Sequence, residues 1–220
     1  MIIVHHLNDS RSQRVLWLLE ELGLEYEVRR YQRDPETMLA PPELKAIHPL
    51  GKSPVIEDQG IKVAETGAIF DYLLNTDGQG RLRPPADTEE ARRFTYWMYY
   101  AEGSAMTPLL LRLIFAQIPA RVPFIARPIA NGISRGMNAR LIQPQLDNHL
   151  GYWESELARS EWFAGDQFTA ADIMMSFPLE AAAARAGAGG KPHIAAFLQR
   201  IHARPAYQRA IDRGGPYSYA

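Results

Sequence analysis

The chain has 220 residues, 46% hydrophobic and 22% charged, a globular composition long enough for one large core or two modest ones. A formal net charge of -1 and a pI of about 6.6 give no footprint for nucleic acid or a membrane surface. The chain has no cysteine, which excludes disulfides, Cys-ligated zinc and a thiol nucleophile of its own; any thiol must arrive on a ligand.

Residues 2–6 are a short apolar run, predicted as a buried strand. The stretch "SRSQRVLWLLEELG" follows with Val15, Leu18, Leu19 and Leu22 at helical spacing, and Gly23 falls where a C-cap glycine belongs. Residues 26–31 return to period-two alternation and are predicted as strand, which makes a βαβ unit with parallel strands. A polar loop with a helical turn occupies residues 32–43. "PVIED" and "IKVA" then flank Gln59-Gly60 as a β-hairpin, and a helix starts near Glu65. His5 and His6 are neighbours on a strand, so they point to opposite faces and make no metal site.

The segment "NTDGQGRLRPPAD" mixes glycine, proline and charge without periodicity and is predicted as the domain boundary. Beyond it the pattern is helical, with Pro108 expected to kink or break the first long helix. The predicted architecture is an α/β domain (βαβ then ββα) over residues 1–77, a linker over 78–87 and an all-α helical bundle over 88–220. The longest apolar run, "LLLRLIFA", is interrupted by Arg112 and too short to span a bilayer. "MIIVHHLNDS" lacks the features of a secretory leader, so a cytoplasmic location is expected. The tail "GGPYSYA" is predicted as a frayed end.

Four short stretches carry candidate chemistry. In "NDSRSQR", Ser10 as N-cap with Gln13 at N3 would complete a capping box; Ser12 as cap would not. A hydroxyl that accepts from a helix amide still has its own proton to donate, so Ser10 also suits an anion lying beyond the helix start. "HPLGKSPVIED" reads as a turn running into a strand, or as a cis Ser53-Pro54 bond whose backbone faces a peptide-like ligand. In "AETGAIFDYL", Thr66 is predicted as an N-cap that also suits a carboxylate, with Glu65 placed for an ammonium. In "FTAADI", Thr169 and Asp172 form a capping box with a structural role.

In this order, "NDSRSQR", "GKSPVI", "ETGAI" and "TAAD" resemble the cytosolic glutathione transferases over nearly the whole chain. The resemblance implies a thioredoxin-like first domain, a serine-type active site in which Ser10 hydrogen-bonds the glutathione sulfur, and a bacterial and fungal subgroup. It implies that Ser53, before a cis Pro54, meets the cysteinyl backbone of glutathione. Glu65 and Thr66 would hold the γ-glutamyl end, and Lys52 the glycyl carboxylate with His48 beside it. Tyr99, Tyr100 and Met106 are candidates for the electrophile pocket, against an equal reading as core residues, and Arg11 is a candidate to orient an anionic product, against a favoured reading as a solvated side chain. The implied activity is conjugation of glutathione, as co-substrate, to small hydrophobic electrophiles, with peroxide reduction as a possible extension. A glutathione-binding protein without turnover and a glutathione-dependent isomerase or dehalogenase are the alternatives. No tightly bound cofactor or metal is expected, and a homodimer is.

Overall fold

A computed structural model describes residues 1–219. Its sheet follows the predicted strands: β1 (Ile2–Leu7), β2 (Tyr26–Tyr31), β3 (Val55–Asp58) and β4 (Ile61–Ala64), in the spatial order β2-β1-β3-β4. β1 and β2 run parallel, while β3 is antiparallel to both β1 and β4. Helix α1 (Ser12–Leu22) makes the crossover and ends at Gly23, whose φ of 64° requires a residue without a Cβ penalty. A short α2 (Glu43–Ile47) supplies the helical turn in the long loop, and α3 (Thr66–Thr76) closes the domain. Val4 and Ile56 of the sheet share one core with Leu18 and Leu19 of α1 and Ile69 and Phe70 of α3.

Among the described residues no strand follows Ala64, and no helix is long and apolar enough to cross a membrane. Thr88 caps α4 (Glu89–Tyr100) by accepting the Ala91 N–H at 3.1 Å. The predicted break near Pro108 takes a definite form: a widened π-turn at Ala101–Ala105 separates α4 from α5 (Met106–Gln117). Proline has no N–H for the carbonyl four residues back, and a widened turn accommodates that mismatch. The same device recurs before Pro144, where Asn138–Ile142 separates α6 (Arg127–Met137) from α7 (Gln143–Arg159).

Helix α8 (Ala170–Ala186) is buried along most of its length and carries the predicted Thr169–Asp172 capping box. The chain then runs through α9 (Pro192–His202) to α10 (Pro205–Gly214), which returns to lie against α1. Arg204 grips Glu21 through two hydrogen bonds of 2.6 and 2.9 Å, and Arg209 bonds Glu20 at 2.7 Å. The expectation of a frayed tail is overturned. Tyr217 donates to the buried Glu180 carboxylate at 2.7 Å, and the Ser218 N–H bonds Asp9 at 2.8 Å. A buried carboxylate needs donors, and the tail supplies one of them.

Candidate functional site

The sheet brings the candidate residues to one edge. His5, Val55 and Ala64 are in register across three strands. The loop after β1, the segment before β3 and the start of α3 therefore leave the sheet at the same end. That edge gathers Ser10 and Arg11, Lys52 and Ser53, and Glu65 and Thr66, which the sequence scatters over more than fifty positions.

The loop between β1 and α1 is held from several sides. Asn8 donates its N–H to the Tyr31 carbonyl at 3.1 Å and accepts the Arg33 N–H on its side chain at 2.8 Å. Asp9 sits at φ 47°, a left-handed conformation uncommon for a non-glycine residue. The expected Ser10–Gln13 capping box does not form. Arg11 occupies the N-cap position in helical conformation, and Ser10 lies one residue before it. The Ser10 hydroxyl accepts the Ser12 N–H at 3.2 Å, and the amide atoms of buried Gln13 have no hydrogen-bond partner. A side-chain bond to the amide two residues on competes with the longer reach of a capping box.

Ser10 is only 5% exposed, and its oxygen stands 2.7 Å from that of fully buried Ser12. Ser12 in turn is 2.8 Å from Nδ1 of buried His6. Burial, followed by the nearby Arg30, pushes the His6 pKa down to about 4, so the ring is neutral near pH 7. The sequence offers Ser12 only as the lesser helix cap and His6 only as a rejected metal ligand, because their contact exists only once the loop turns over the end of β1.

On the β3 side the Ser53-Pro54 bond is cis. The Ser53 hydroxyl donates to the His5 carbonyl at 2.7 Å and accepts the Leu7 N–H at 3.2 Å, pinning this segment beside the Ser10 loop. Lys52 is exposed. His48 accepts the Leu50 N–H at 3.4 Å within its own turn.

At α3 the cap differs from expectation. Thr66 is the first helical residue, and Glu65 holds the N-cap position at φ 73° and ψ 129° without a side-chain cap bond. A non-glycine residue held there is strained, and such strain concentrates at ligand-binding positions. Glu65 is exposed and Thr66 buried.

Between the domains, Arg14 is 1% exposed and donates to the Met174 carbonyl at 2.7 Å and to Glu102. Arg11 joins the same carboxylate at 2.9 Å. Burial pushes the Glu102 carboxyl up, but the two guanidinium groups outweigh it and leave the pKa below its usual value. Burial lowers the Arg11 pKa, and Glu65 is among the charges that act on it.

The four residues read for an electrophile pocket separate. Tyr99 is 73% exposed and lines an open cleft of about 380 Å³ with Gly67, Ala68, Phe94 and Met98. Tyr100 and Met106 are buried instead, and the Tyr100 hydroxyl accepts the Trp153 indole N–H at 3.0 Å and pairs with His149. Two adjacent helical residues point about 100° apart, so Tyr99 and Tyr100 cannot both face the cleft. Arg11 is tied to Glu102. Neither Ser10 nor Arg11 lines the cleft, which adjoins the site at its Thr66 end.

The family model described as "Glutathione S-transferase, N-terminal domain" matches residues 1–75, and "Glutathione S-transferase, C-terminal domain" matches residues 141–205. The chain is 36% identical to Glutathione S-transferase 1 of Saccharomyces cerevisiae, over 97% of this chain and 95% of that protein. It is 34% identical to Glutathione S-transferase 3 of Schizosaccharomyces pombe, over 97% and 88% respectively. The crystal structure of a glutathione S-transferase from Actinobacillus pleuropneumoniae superposes with a TM-score of 0.81 at 31% identity, covering 97% of this chain and 93% of that one.

Proposed function

The chain belongs to the glutathione transferase family, whose enzymes take glutathione as substrate, and we propose that Ser10 and the leading end of α1 hold the glutathione sulfur as a thiolate for attack on a small hydrophobic electrophile. The observation that carries this reading is the convergence of Ser10, Ser53, Glu65 and Thr66 on one sheet edge, through strands in register. The protein contributes no thiol, so the nucleophile is the one on the substrate.

The magnitudes suffice. An ordinary thiol titrates near 8.5, and bringing it about 2 units lower takes about 2.7 kcal/mol. A hydrogen bond to a charged acceptor contributes about 1.5–3 kcal/mol and a helix N-terminus about 0.3–1 kcal/mol. In this reading Ser53, ahead of cis Pro54, offers its backbone to the cysteinyl unit. Thr66 and the α3 N-terminus take the γ-glutamyl carboxylate, Glu65 its ammonium, and Lys52, with His48 near it, the glycyl carboxylate. The electrophile meets the sulfur above Ser10 and beside Arg11, at the junction of residues 1–77 with the helical domain 88–220 across the linker 78–87. Detoxification in the cytoplasm is the setting that fits this chemistry.

We further propose a homodimer. Tyr99, Phe124, Ile125, Ile129 and Ile133 are exposed in the helical domain, and Ile129 and Ile133 stand one turn apart on α6 just after Phe124 and Ile125.

The test is titration of enzyme-bound glutathione by the ultraviolet absorbance of its thiolate, together with rates on aryl halides, epoxides, isothiocyanates and hydroperoxides. The bound thiol is expected about 2 units below its ordinary pKa, and Ser10→Ala should raise it by about 1–2 units with a parallel fall in rate near neutrality. An unchanged thiol pKa in Ser10→Ala removes the serine assignment. Normal glutathione binding with no turnover on any acceptor instead favours a protein that binds without catalysis.

A further inference from the structure

Three consecutive residues ahead of α1 are each held by a different part of the molecule. Asn8 is tied to the end of β2 through the Tyr31 carbonyl and the Arg33 N–H. Ser10 is tied to α1 through the Ser12 N–H. Asp9 lies between them at φ 47°, and its carboxylate accepts the Ser218 N–H at 2.8 Å from the tail beyond α10. A non-glycine residue at positive φ costs free energy, so such a turn persists where outside contacts fix it.

The tail is itself anchored on both domains. Where it leaves α10, Arg30 of β2 donates to the Arg213 carbonyl at 2.6 and 3.1 Å. Tyr217 donates at 2.7 Å to Glu180 of α8, a carboxylate only 1% exposed. Tyr219 sets its ring edge-on to Phe177 of α8, 5.5 Å between centroids, with the Arg185 guanidinium 4.7 Å from its own centroid. A lone backbone bond on an exposed tail frays readily, but here Tyr217 and Tyr219 pin the chain on either side of Ser218.

We propose that the tail is a strap, in which Ser218, anchored by Tyr217 and Tyr219, is a positioning residue that fixes Asp9 and so places the Ser10 hydroxyl against the glutathione sulfur. This rests on the assignment of Ser10 made above. Ser10 follows Asp9 directly, so a change in the Asp9 backbone swings the Ser10 side chain, and a shift of about 1 Å takes a hydroxyl out of hydrogen-bonding range. The coupling runs both ways. If the docked tail favours the sulfur-binding loop, bound glutathione favours the docked tail by the same factor.

Ser218→Pro deletes the N–H that Asp9 accepts. The expected result is a rise of about 1 unit in the bound thiol pKa and about a tenfold loss of kcat/KM below that pKa, with the rate recovered at higher pH. Asp9→Asn keeps an acceptor oxygen on a residue that tolerates positive φ, so it should retain most of the low thiol pKa. Tyr217→Phe, which removes the Glu180 anchor, should give a smaller shift of the same sign. In the wild-type enzyme, saturating glutathione should slow amide hydrogen exchange across residues 215–219 by about the same tenfold factor. A Ser218→Pro enzyme with the wild-type thiol pKa overturns the proposal, as does tail exchange indifferent to glutathione; a lowered melting temperature alone would make the tail a purely structural contact. If Ser10→Ala leaves the thiol pKa in place, the serine assignment fails instead, and the exchange measurement still tests the strap by itself.

Discussion

At the scale of single residues, polar groups at the sheet edge are held by partners that no capping rule names, Ser53 by His5 far away in sequence and Ser10 by Ser12 close by. Ser10 reads as a helix cap, yet its hydroxyl bonds Ser12 and lies outside the N-cap position. The difference of one residue matters. A capping hydroxyl is directed at its own helix, whereas Ser10 sits in the turn before it, with a buried row behind. His6 has a measurable signature in stability. In the unfolded chain it titrates near 6.5, and burial followed by Arg30 lowers it to about 4 in the fold. Between those values the unfolded chain binds more protons, so stability rises with pH and falls on acidification through that window. Urea unfolding at about pH 7 and about pH 4.5 should show wild-type losing about 2–3 kcal/mol more than His6→Asn. Equal losses in the two proteins would show that His6 does not stay neutral in the fold.

At the scale of elements, local rules predict what depends on neighbours in the chain. Thr169 and Asp172 were legible as a capping box, and the structure adds to it: the Asp172 carboxylate also accepts the Phe163 N–H at 2.8 Å, tying α8 to the preceding loop. Burial pushes the Asp172 carboxyl up to about 6, opposed by these donors. Asp172→Ala removes a cap and leaves a buried N–H unpaired, a combined cost of about 2–4 kcal/mol. The measurement is thermal or denaturant unfolding at about pH 8, where the wild-type group is ionised. Activity below the new melting temperature should be retained, since the proposed sulfur site at Ser10 lies elsewhere; a loss under about 0.5 kcal/mol would reduce the box to ornament. The break around Pro108 was equally readable, but its form as a π-turn was not. Where a helix absorbs a missing N–H depends on what packs around it. Here the turn carries Glu102 onto Arg11 and Arg14 of the same chain.

At the scale of the whole molecule, the first and last helices hold each other. Arginines of α10 and its approach pair with Glu20 and Glu21 of α1, and the tail adds contacts to Glu180 and Asp9. The loop bearing Ser10 is therefore supported by both domains, although it belongs to the first. The proposed homodimer belongs to this scale as well. Sedimentation should give a particle of about twice the 24.8 kDa chain mass at micromolar concentration. A particle of one chain mass across that range would leave the exposed isoleucines unexplained and end the proposal.

The succession of elements along the chain, helix spacing, glycine stops and the absence of cysteine are set by near neighbours in the chain or by composition, so the α/β-then-α architecture and the lack of a thiol of its own were determined by the sequence alone. The strained Glu65, the burial of Tyr100, the docked tail and the Ser10–Ser12–His6 row were decided only by tertiary structure. The burial of Tyr100 and the docked tail depend on distant groups that fill a side chain's hydrogen bonds and exclude its water, while the Glu65 backbone and the row depend on how the turns at the sheet edge close, and none of this exists until the sheet is in register.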